Sequence, residues 1–317
     1  MITERIDAIT GIEPEYRSTN LPAPRSVKIE LTGRCNYACS FCARSMVLRE
    51  QKDMDRALYE RLLRELRVLG VEEIGLFYLG ESFLCDWLED AIAFAKKECG
   101  YPYVFLTTNG SLATPGRLRG CFEAGLDSLK FSFNYADETQ FREIAKVKTA
   151  LYRHMLENIR VACAVRDEVF ARTGHKCGLY ASYIEYDGAQ GQRMVEALDQ
   201  IRDQVDEIYA LPLYNQANLV TESEEKKGWK PIAGNRGRIG ALRDPLPCWA
   251  VFTEGHITWD GKLSACCFDH DGRFHMGDLT TTPFMEAWNS GAFQNLRAAH
   301  LALDVTSTPC ESCVAYR

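Results

Sequence analysis

The stretch 35-CNYACSFC-42 places three cysteines within eight residues. With three and then two residues between them, the thiols can be drawn round one inorganic centre. The segment offers no obvious fourth ligand, since neither His nor Asp occurs in residues 27–52. Structural zinc wants four ligands, usually supplied as two pairs. A set of three points instead to a cysteine-bound iron–sulfur cluster with one iron left open. The open position then becomes the place where something else binds. A chance spacing, or a structural metal site, is the competing reading of the motif taken alone.

The chain has thirteen cysteines, an odd number, in 317 residues. Its N-terminus, MITERIDAITGIEPEYRS, is mixed in charge and has no apolar core of the kind export signals carry. Thiols clustered in a reducing compartment read as metal ligands rather than disulfides, so a cytoplasmic location is expected. A second group near the C-terminus comprises Cys248, Cys266, Cys267, Cys310 and Cys313, while Cys85, Cys99, Cys121, Cys163 and Cys177 are scattered. The scattered five read as small buried apolar side chains. No run of about 18 apolar residues suggests a membrane span. A net charge of -7 provides no basic excess for a general nucleic-acid or anionic-membrane surface, so neither partner is expected.

Short β-rich runs alternate with helical patterns between residues 26 and 213. Strands are predicted at 27–31, 74–79, 103–108, 129–133, 179–184 and 207–213. One intervening helix, 86-DWLEDAIAFAKKEC-99, stops at Gly100; another carries Leu58, Leu62, Leu66 and Leu69 and stops at Gly70. Repeated strand–helix alternation predicts an α/β fold, a partial (β/α)6 TIM-like barrel. Sites in such folds lie at the C-terminal strand ends, where the three-cysteine loop falls. The expected divisions are an N-terminal extension (1–25), the barrel (26–221), and a linker with a small C-terminal α+β unit (222–317). The segment 222–248 reads as a polar linker, 255–267 as a hairpin turning at Asp260-Gly261, and 283–301 as one amphipathic helix. A unit this small gains from a metal site.

CxxxCxxC directly after the first strand of such a barrel resembles the radical S-adenosylmethionine (SAM) superfamily. The resemblance implies that Cys35, Cys39 and Cys42 hold a [4Fe–4S] cluster whose fourth iron is chelated by SAM. It also implies reductive cleavage of SAM to a 5′-deoxyadenosyl radical, with an electron donor such as flavodoxin or ferredoxin. Phe41 occupies the family's adenine-side aromatic position. The family's SAM-binding Gly-Gly-Glu-Pro tetrad is matched by 79-LGES-82, which keeps Gly80 and Glu81 and departs at its first and fourth positions. The segments 107-TTNG-110 and 130-KFSFNYADETQFREI-144 add Thr108, Asn109, Ser132 and Asn134 as candidate SAM or substrate contacts. Read alone, Ser132 is also an ordinary strand-end hydroxyl.

In the C-terminal group, Cys248, Cys266, Cys310 and Cys313 would satisfy a cubane completely, giving a closed electron-transfer site; a zinc ribbon is the competing reading. The segment 261–297, with its Gly-x4-Cys, Gly-Asp-Leu and Trp-Asn, resembles the SPASM/twitch extension of radical SAM enzymes. With only 314-VAYR-317 after the CxxC, the one-cluster twitch form is expected. Glycine spacing favours Cys266 over Cys267 as ligand, and His270 and His275 are expected to be surface or packing residues.

Two [4Fe–4S] clusters and SAM are thus the expected cofactors. The architecture resembles the aminocyclitol dehydrogenases of butirosin-type biosynthesis, implying dehydrogenation of an alcohol or amine carbon on a polar small molecule. Epimerisation, isomerisation of a nucleotide, and peptide modification are the alternatives. A non-catalytic iron–sulfur carrier is the remote one, since it leaves the SAM motifs unexplained. About 25 residues precede the first strand, short for a peptide-recognition domain. Arg142, Tyr180, Ser182, Tyr183, Glu185 and Tyr214 are candidate substrate contacts at the barrel mouth, about half of which strand alternation turns away.

Overall fold

The computed structural model describes residues 1–47, 49–186, 188–238 and 241–313. Two residues of the expected linker and the closing 314–317 segment therefore lie outside the described residues. Six strands, β1 (Ser26–Ile29), β2 (Glu73–Gly75), β3 (Tyr103–Thr108), β4 (Ser128–Ser132), β5 (Gly178–Ile184) and β6 (Glu207–Leu211), follow in chain order. Each pairs in parallel with the next, which requires a crossover between every pair. Helix α1 (Ile2–Thr10) precedes the first strand. The crossovers are α2 (Arg56–Val68), α3 (Leu88–Ala93), α4 (Pro115–Ala124), α5 (Glu138–Ala145) with α6 (Ala150–Thr173), and α7 (Gly188–Leu198).

Local chemistry sets these elements. Asp55 caps α2 by accepting from the Leu58 N–H at 2.9 Å, and Tyr59, Leu62, Leu63 and Leu66 bury one face. Gly70, at φ +91°, ends the turn beyond it in a conformation that favours glycine. Along β3, Val104, Leu106 and Thr108 are buried while Tyr103, Phe105 and Thr107 alternate with them. The predicted second strand is cut short after Gly75. The Leu76 N–H still reaches the Phe105 carbonyl, but the Ser82 hydroxyl then takes the Leu76 carbonyl at 2.7 Å and bends the chain.

The C-terminal part departs further from expectation. The supposed linker contains α8 (Thr221–Glu225) and a small ladder, β7 (Gly237–Arg238) with β8 (Ala241–Leu242). The hairpin β9 (Glu254–Ile257) and β10 (Lys262–Ser264) turns at Gly261, φ +79°, and β11 (His275–Asp278) pairs with it. The hairpin does not form a separate sheet. Strand β9 runs parallel to β1, extending one sheet in the order β11-β10-β9-β1-β2-β3-β4-β5-β6. Phe252, Ile257, Leu263, Phe284 and Trp288 join the barrel's own core. The small unit thus borrows the core it could not build alone.

The single helix expected at 283–301 is two, α9 (Phe284–Trp288) and α10 (Gly291–Leu301). Asn289 and Ser290 break it by using their side chains as partners for backbone. The Ser290 hydroxyl accepts from the Phe293 N–H, and Asn289 exchanges two bonds with the Leu21 backbone at 2.8 and 2.9 Å. Arg297 packs between the Trp288 and Phe293 rings and donates to the Thr19 and Val251 carbonyls. The N-terminal segment is thereby tied to the C-terminal one. At its other end, α1 spans strand starts: the Ile2 N–H meets Glu207 at 2.8 Å, and Arg5 pairs with Glu73 over the Tyr103 ring. Among the described residues no helix is long and apolar enough to cross a membrane.

Candidate active site and auxiliary cysteine site

The three-cysteine loop lies between β1 and α2 and is braced on every side. Arg34 forks onto Asp53 at 2.9 and 2.6 Å and also donates to the Leu84 carbonyl. Arg49 forks onto the buried Glu30, both contacts at 2.8 Å. The Ala38 and Ser40 N–H groups donate to the last turn of α5. Cys39 Sγ lies 2.8 Å from the Tyr135 hydroxyl, and the Tyr135 ring stacks with half-buried Phe41. Burial pushes the Cys35 thiol up to about 12 and raises Cys39 and Cys42 as well. Thiolates here need a cation to replace the proton, and cluster iron supplies one.

Gly80 and Glu81 meet this loop from β2. A Cβ at Gly80 would stand 2.1 Å from the Thr32 carbonyl oxygen, so only glycine lets the two backbones pass. Glu81 is buried, and its carboxylate is fully engaged by the protein. It accepts from the Thr108 hydroxyl (2.7 Å), the Asn109 N–H (2.7 Å) and the Phe83 N–H (3.2 Å). Glu81 therefore joins the β2 and β3 loops. The Asn109 amide donates to Asn36 at 2.8 Å, and Asn36 donates to Ser111 at 2.9 Å, closing a bridge between the cysteine loop and the β3 loop. Asn36 and Ser111 gave no signal in the sequence beyond their neighbours. Ser132 closes β4 and Asn134 follows it, both half-buried at the C-terminal end of the strand.

The substrate candidates divide. Tyr180 and Tyr214 line a chamber of about 220 Å³ in the barrel lumen. Ser182 is buried against Tyr209, and half-buried Tyr183 alternates to the other face of β5. Arg142 lies on an exposed face of α5, and Glu185 is exposed past the end of β5, its N–H already held by the Leu211 carbonyl. Neither reaches the chamber, because helix phase carries one outward and strand alternation the other.

The second cysteine group converges on a smaller cavity, about 40 Å³, lined by Cys248, Cys266, Cys267, Cys310 and Cys313. Among the described residues no three His, Cys, Asp or Glu side chains converge on a single-ion site; the thiols surround a space instead. Burial raises Cys248, takes Cys310 to about 12 and Cys313 to about 11; Cys266 is raised first by its contact with Cys267 and then by burial. The Phe268 N–H points at Cys266 Sγ from 3.3 Å. Fully buried His300 joins two of the cysteines. Burial lowers its pKa to about 4, so the ring is neutral. Its Nδ1 accepts from the Cys248 N–H at 3.1 Å, which leaves the proton on Nε2, facing Cys310 Sγ at 3.3 Å. Sequence reasoning missed His300, which lies inside the helix expected at 283–301 and belongs to none of the motifs. His270 is buried and His275 exposed, and neither lines the cavity. Of the scattered cysteines, Cys85, Cys121 and Cys177 are buried as expected, whereas Cys99 and Cys163 are only half-buried.

The two cavities share Gly234 and Trp249 in their walls. Both residues flank or lie within the segment that the sequence presented as a linker.

Known proteins match in both regions. Residues 29–173 match the radical SAM superfamily, and residues 248–314 match an iron–sulfur cluster-binding domain of the SPASM type. The PqqA peptide cyclase of Methylobacterium nodulans is 33% identical over 131 residues, covering 41% of this chain and 34% of that protein. The chain thus spans about a third of that relative's length. The GTP 3′,8-cyclase of Chlorobaculum tepidum is 30% identical over 271 residues, covering 77% of this chain and 79% of the other. Among solved structures, BtrN in complex with AdoMet and 2-DOIA aligns over 92% of both chains with a TM-score of 0.59 at 16% identity, a likeness of fold. Radical SAM domains bind a [4Fe–4S] cluster and SAM, and SPASM domains carry auxiliary iron–sulfur clusters. The braced cysteine loop, the glycine approach at Gly80 and the second ring of thiols all belong to one known design: the chain is a member of the radical SAM superfamily with a C-terminal SPASM domain.

Proposed function

We propose that this enzyme dehydrogenates an alcohol or amine carbon of a polar small molecule. In this reading Cys35, Cys39 and Cys42 hold the SAM-binding cluster. Phe41, the Gly80 and Glu81 backbone, Thr108, Asn109, Ser132 and Asn134 surround the SAM. Cys248, Cys310, Cys313 and one of Cys266 and Cys267 hold the auxiliary cluster. When bound, these groups supply a hydrogen-abstracting radical on one side of the substrate and a one-electron sink on the other.

The observation that carries the reading is the shared wall. A cavity ringed by five thiols adjoins the lumen chamber across Gly234 and Trp249, so an electron leaving a substrate there has a short route. Net dehydrogenation removes a hydrogen atom, a proton and an electron. The chain's own task is to hold the carbon toward the SAM side while the proton leaves to solvent. Tyr180 faces the chamber, and burial raises its pKa, so its protonated phenol can orient the substrate by hydrogen bonding; Tyr214 already donates its hydroxyl to the Gly237 carbonyl at 2.7 Å.

Peptide modification is the second reading, favoured by the match to a peptide cyclase. Against it stands the chamber volume of about 220 Å³, below the roughly 300–1,000 Å³ of pockets that enclose drug-sized ligands. Product mass decides. Loss of two mass units from a small molecule supports dehydrogenation. Unchanged mass with one deuterium taken from solvent replaces it with epimerisation, and turnover of a peptide alone replaces it with the second reading.

A further inference from the structure

We propose that the lumen chamber is an oxyanion-recognition site in which Lys130 binds a phosphate or carboxylate group of the substrate. The proposal deepens the small-molecule reading above and rests on it.

Strands β1 and β4 each send a lysine into the chamber, Lys28 and Lys130. Lys28 is neutralised by Glu254 at 2.7 Å. Arg5, the cation that α1 contributes, is neutralised by Glu73. Arg243, also in the wall, donates to the Thr10 carbonyl and hydroxyl. Lys130 is left over: among the described residues it has no carboxylate partner and no hydrogen bond. An ammonium held in a partly desolvated chamber beside a second lysine is costly unless an anion joins it. Burial, with Lys28 adding to it, lowers the Lys130 pKa to about 8, as expected of a cation awaiting its partner. For stability alone, an apolar side chain of similar length would serve better.

Glycines shape the chamber's aromatic walls. A Cβ on Gly75 would stand 2.8 Å from the Phe105 ring and 3.1 Å from the Lys28 side chain. At Gly178 it would lie 2.4 Å from the Tyr180 hydroxyl, and at Gly237 2.3 Å from the Tyr214 ring. Each glycine lets an aromatic ring lie back against the wall. With Tyr209 and Trp249, these rings give the chamber apolar faces suited to the C–H surface of a cyclic, sugar-like body. Lys130 pairs laterally with Thr107 and Tyr180 and precedes Ser132 by two residues. At about 3.3 Å per parallel-strand residue it lies about 6.6 Å below the strand end. The oxyanion would therefore be anchored at the far end of the substrate, with the reacting carbon toward the cysteine loop.

Isothermal titration of the anaerobically reconstituted holoenzyme with inorganic phosphate and with acetate tests this at neutral pH. At least one should bind, with affinity lowered more than tenfold in Lys130→Met and largely kept in Lys130→Arg. Phosphate alone identifies a phosphorylated substrate; acetate binding as well or better identifies a carboxylate. Binding of neither, or equal binding to Lys130→Met, overturns the proposal. A wild-type measurement guards against a misfolded variant: the bound anion should slow acetylation of Lys130, read by peptide mass spectrometry, and spare exposed Lys226. Unslowed acetylation also overturns it. Product mass is a separate readout. A chain that binds no oxyanion can still dehydrogenate a neutral substrate, and one that epimerises can still hold an oxyanion here.

Discussion

The two cysteine sites are built in opposite ways. Cys35, Cys39 and Cys42 come from one loop of eight residues, and the fold's contribution is to brace that loop through Arg34, Arg49 and the end of α5. Cys248, Cys266, Cys267, Cys310 and Cys313 come from three separate segments, and only the completed sheet and His300 bring them round one cavity. Three thiols leave a cluster short of a ligand, whereas five offer more than it needs. In the proposed reading the local site stays open for chemistry, and the site assembled at long range is closed and also helps to hold the C-terminal unit together.

The largest test of this contrast is reciprocal removal. Replacing Cys35, Cys39 and Cys42 with Ala should leave about four iron atoms per chain and no 5′-deoxyadenosine. Replacing Cys310 should leave SAM cleavage measurable while abolishing the dehydrogenated product and lowering the melting temperature. SAM cleavage by the triple variant would break the assignment of the open site. Single Cys266→Ala and Cys267→Ala variants sharpen it, because only the true ligand's loss should change the auxiliary cluster's spectrum.

This contrast also explains what could be read before folding. The local site was legible because its spacing lies within one loop, and the six parallel strands were legible from periodicity. The parallel pairing of β9 with β1 was not, since a hairpin pattern says nothing about which strand it will join. Nor was the linker's part in both cavities: Gly234 and Gly237 act through the space they leave, which no residue type announces. Arg142 and Glu185 were expected at the barrel mouth, but the elements carrying them point elsewhere.

A smaller effect tests whether the two regions share one stability. Glu254 sits on β9 and pairs with Lys28 of β1 across their seam. Burial alone would raise its pKa, but Lys28 and His256 outweigh burial and bring it from 4.5 to about 2. A depressed carboxylate stabilises the fold above its unfolded pKa and loses that contribution as pH falls through the folded value. The drop corresponds to roughly 3 kcal/mol, lost progressively below about pH 4.5. Urea midpoints between pH 7 and 3 should fall in this window and flatten in Glu254→Gln. The same slope in both proteins would detach the seam from acid sensitivity.

The smallest effect concerns Glu81, the point where the local site does depend on distant chain. Its carboxylate accepts from Thr108, Asn109 and Phe83, so it holds the β2 and β3 loops in register with the cysteine loop. Glu81→Gln keeps the size but turns an NH2 group toward one of those donors. With one donor left facing another, the cost is about 1–2 kcal/mol, a factor of roughly 5–30 in an equilibrium. Because the strain falls on the loops proposed to frame SAM, it should appear as weaker SAM binding to the reconstituted holoenzyme, with the auxiliary cluster's spectrum unchanged. Thr108→Val, which removes one donor and leaves Glu81 two others, should weaken binding less. If Glu81→Gln binds SAM as tightly as the wild type, Glu81 is a packing residue, and the Asn36–Asn109–Ser111 bridge between the cysteine loop and the β3 loop suffices for binding.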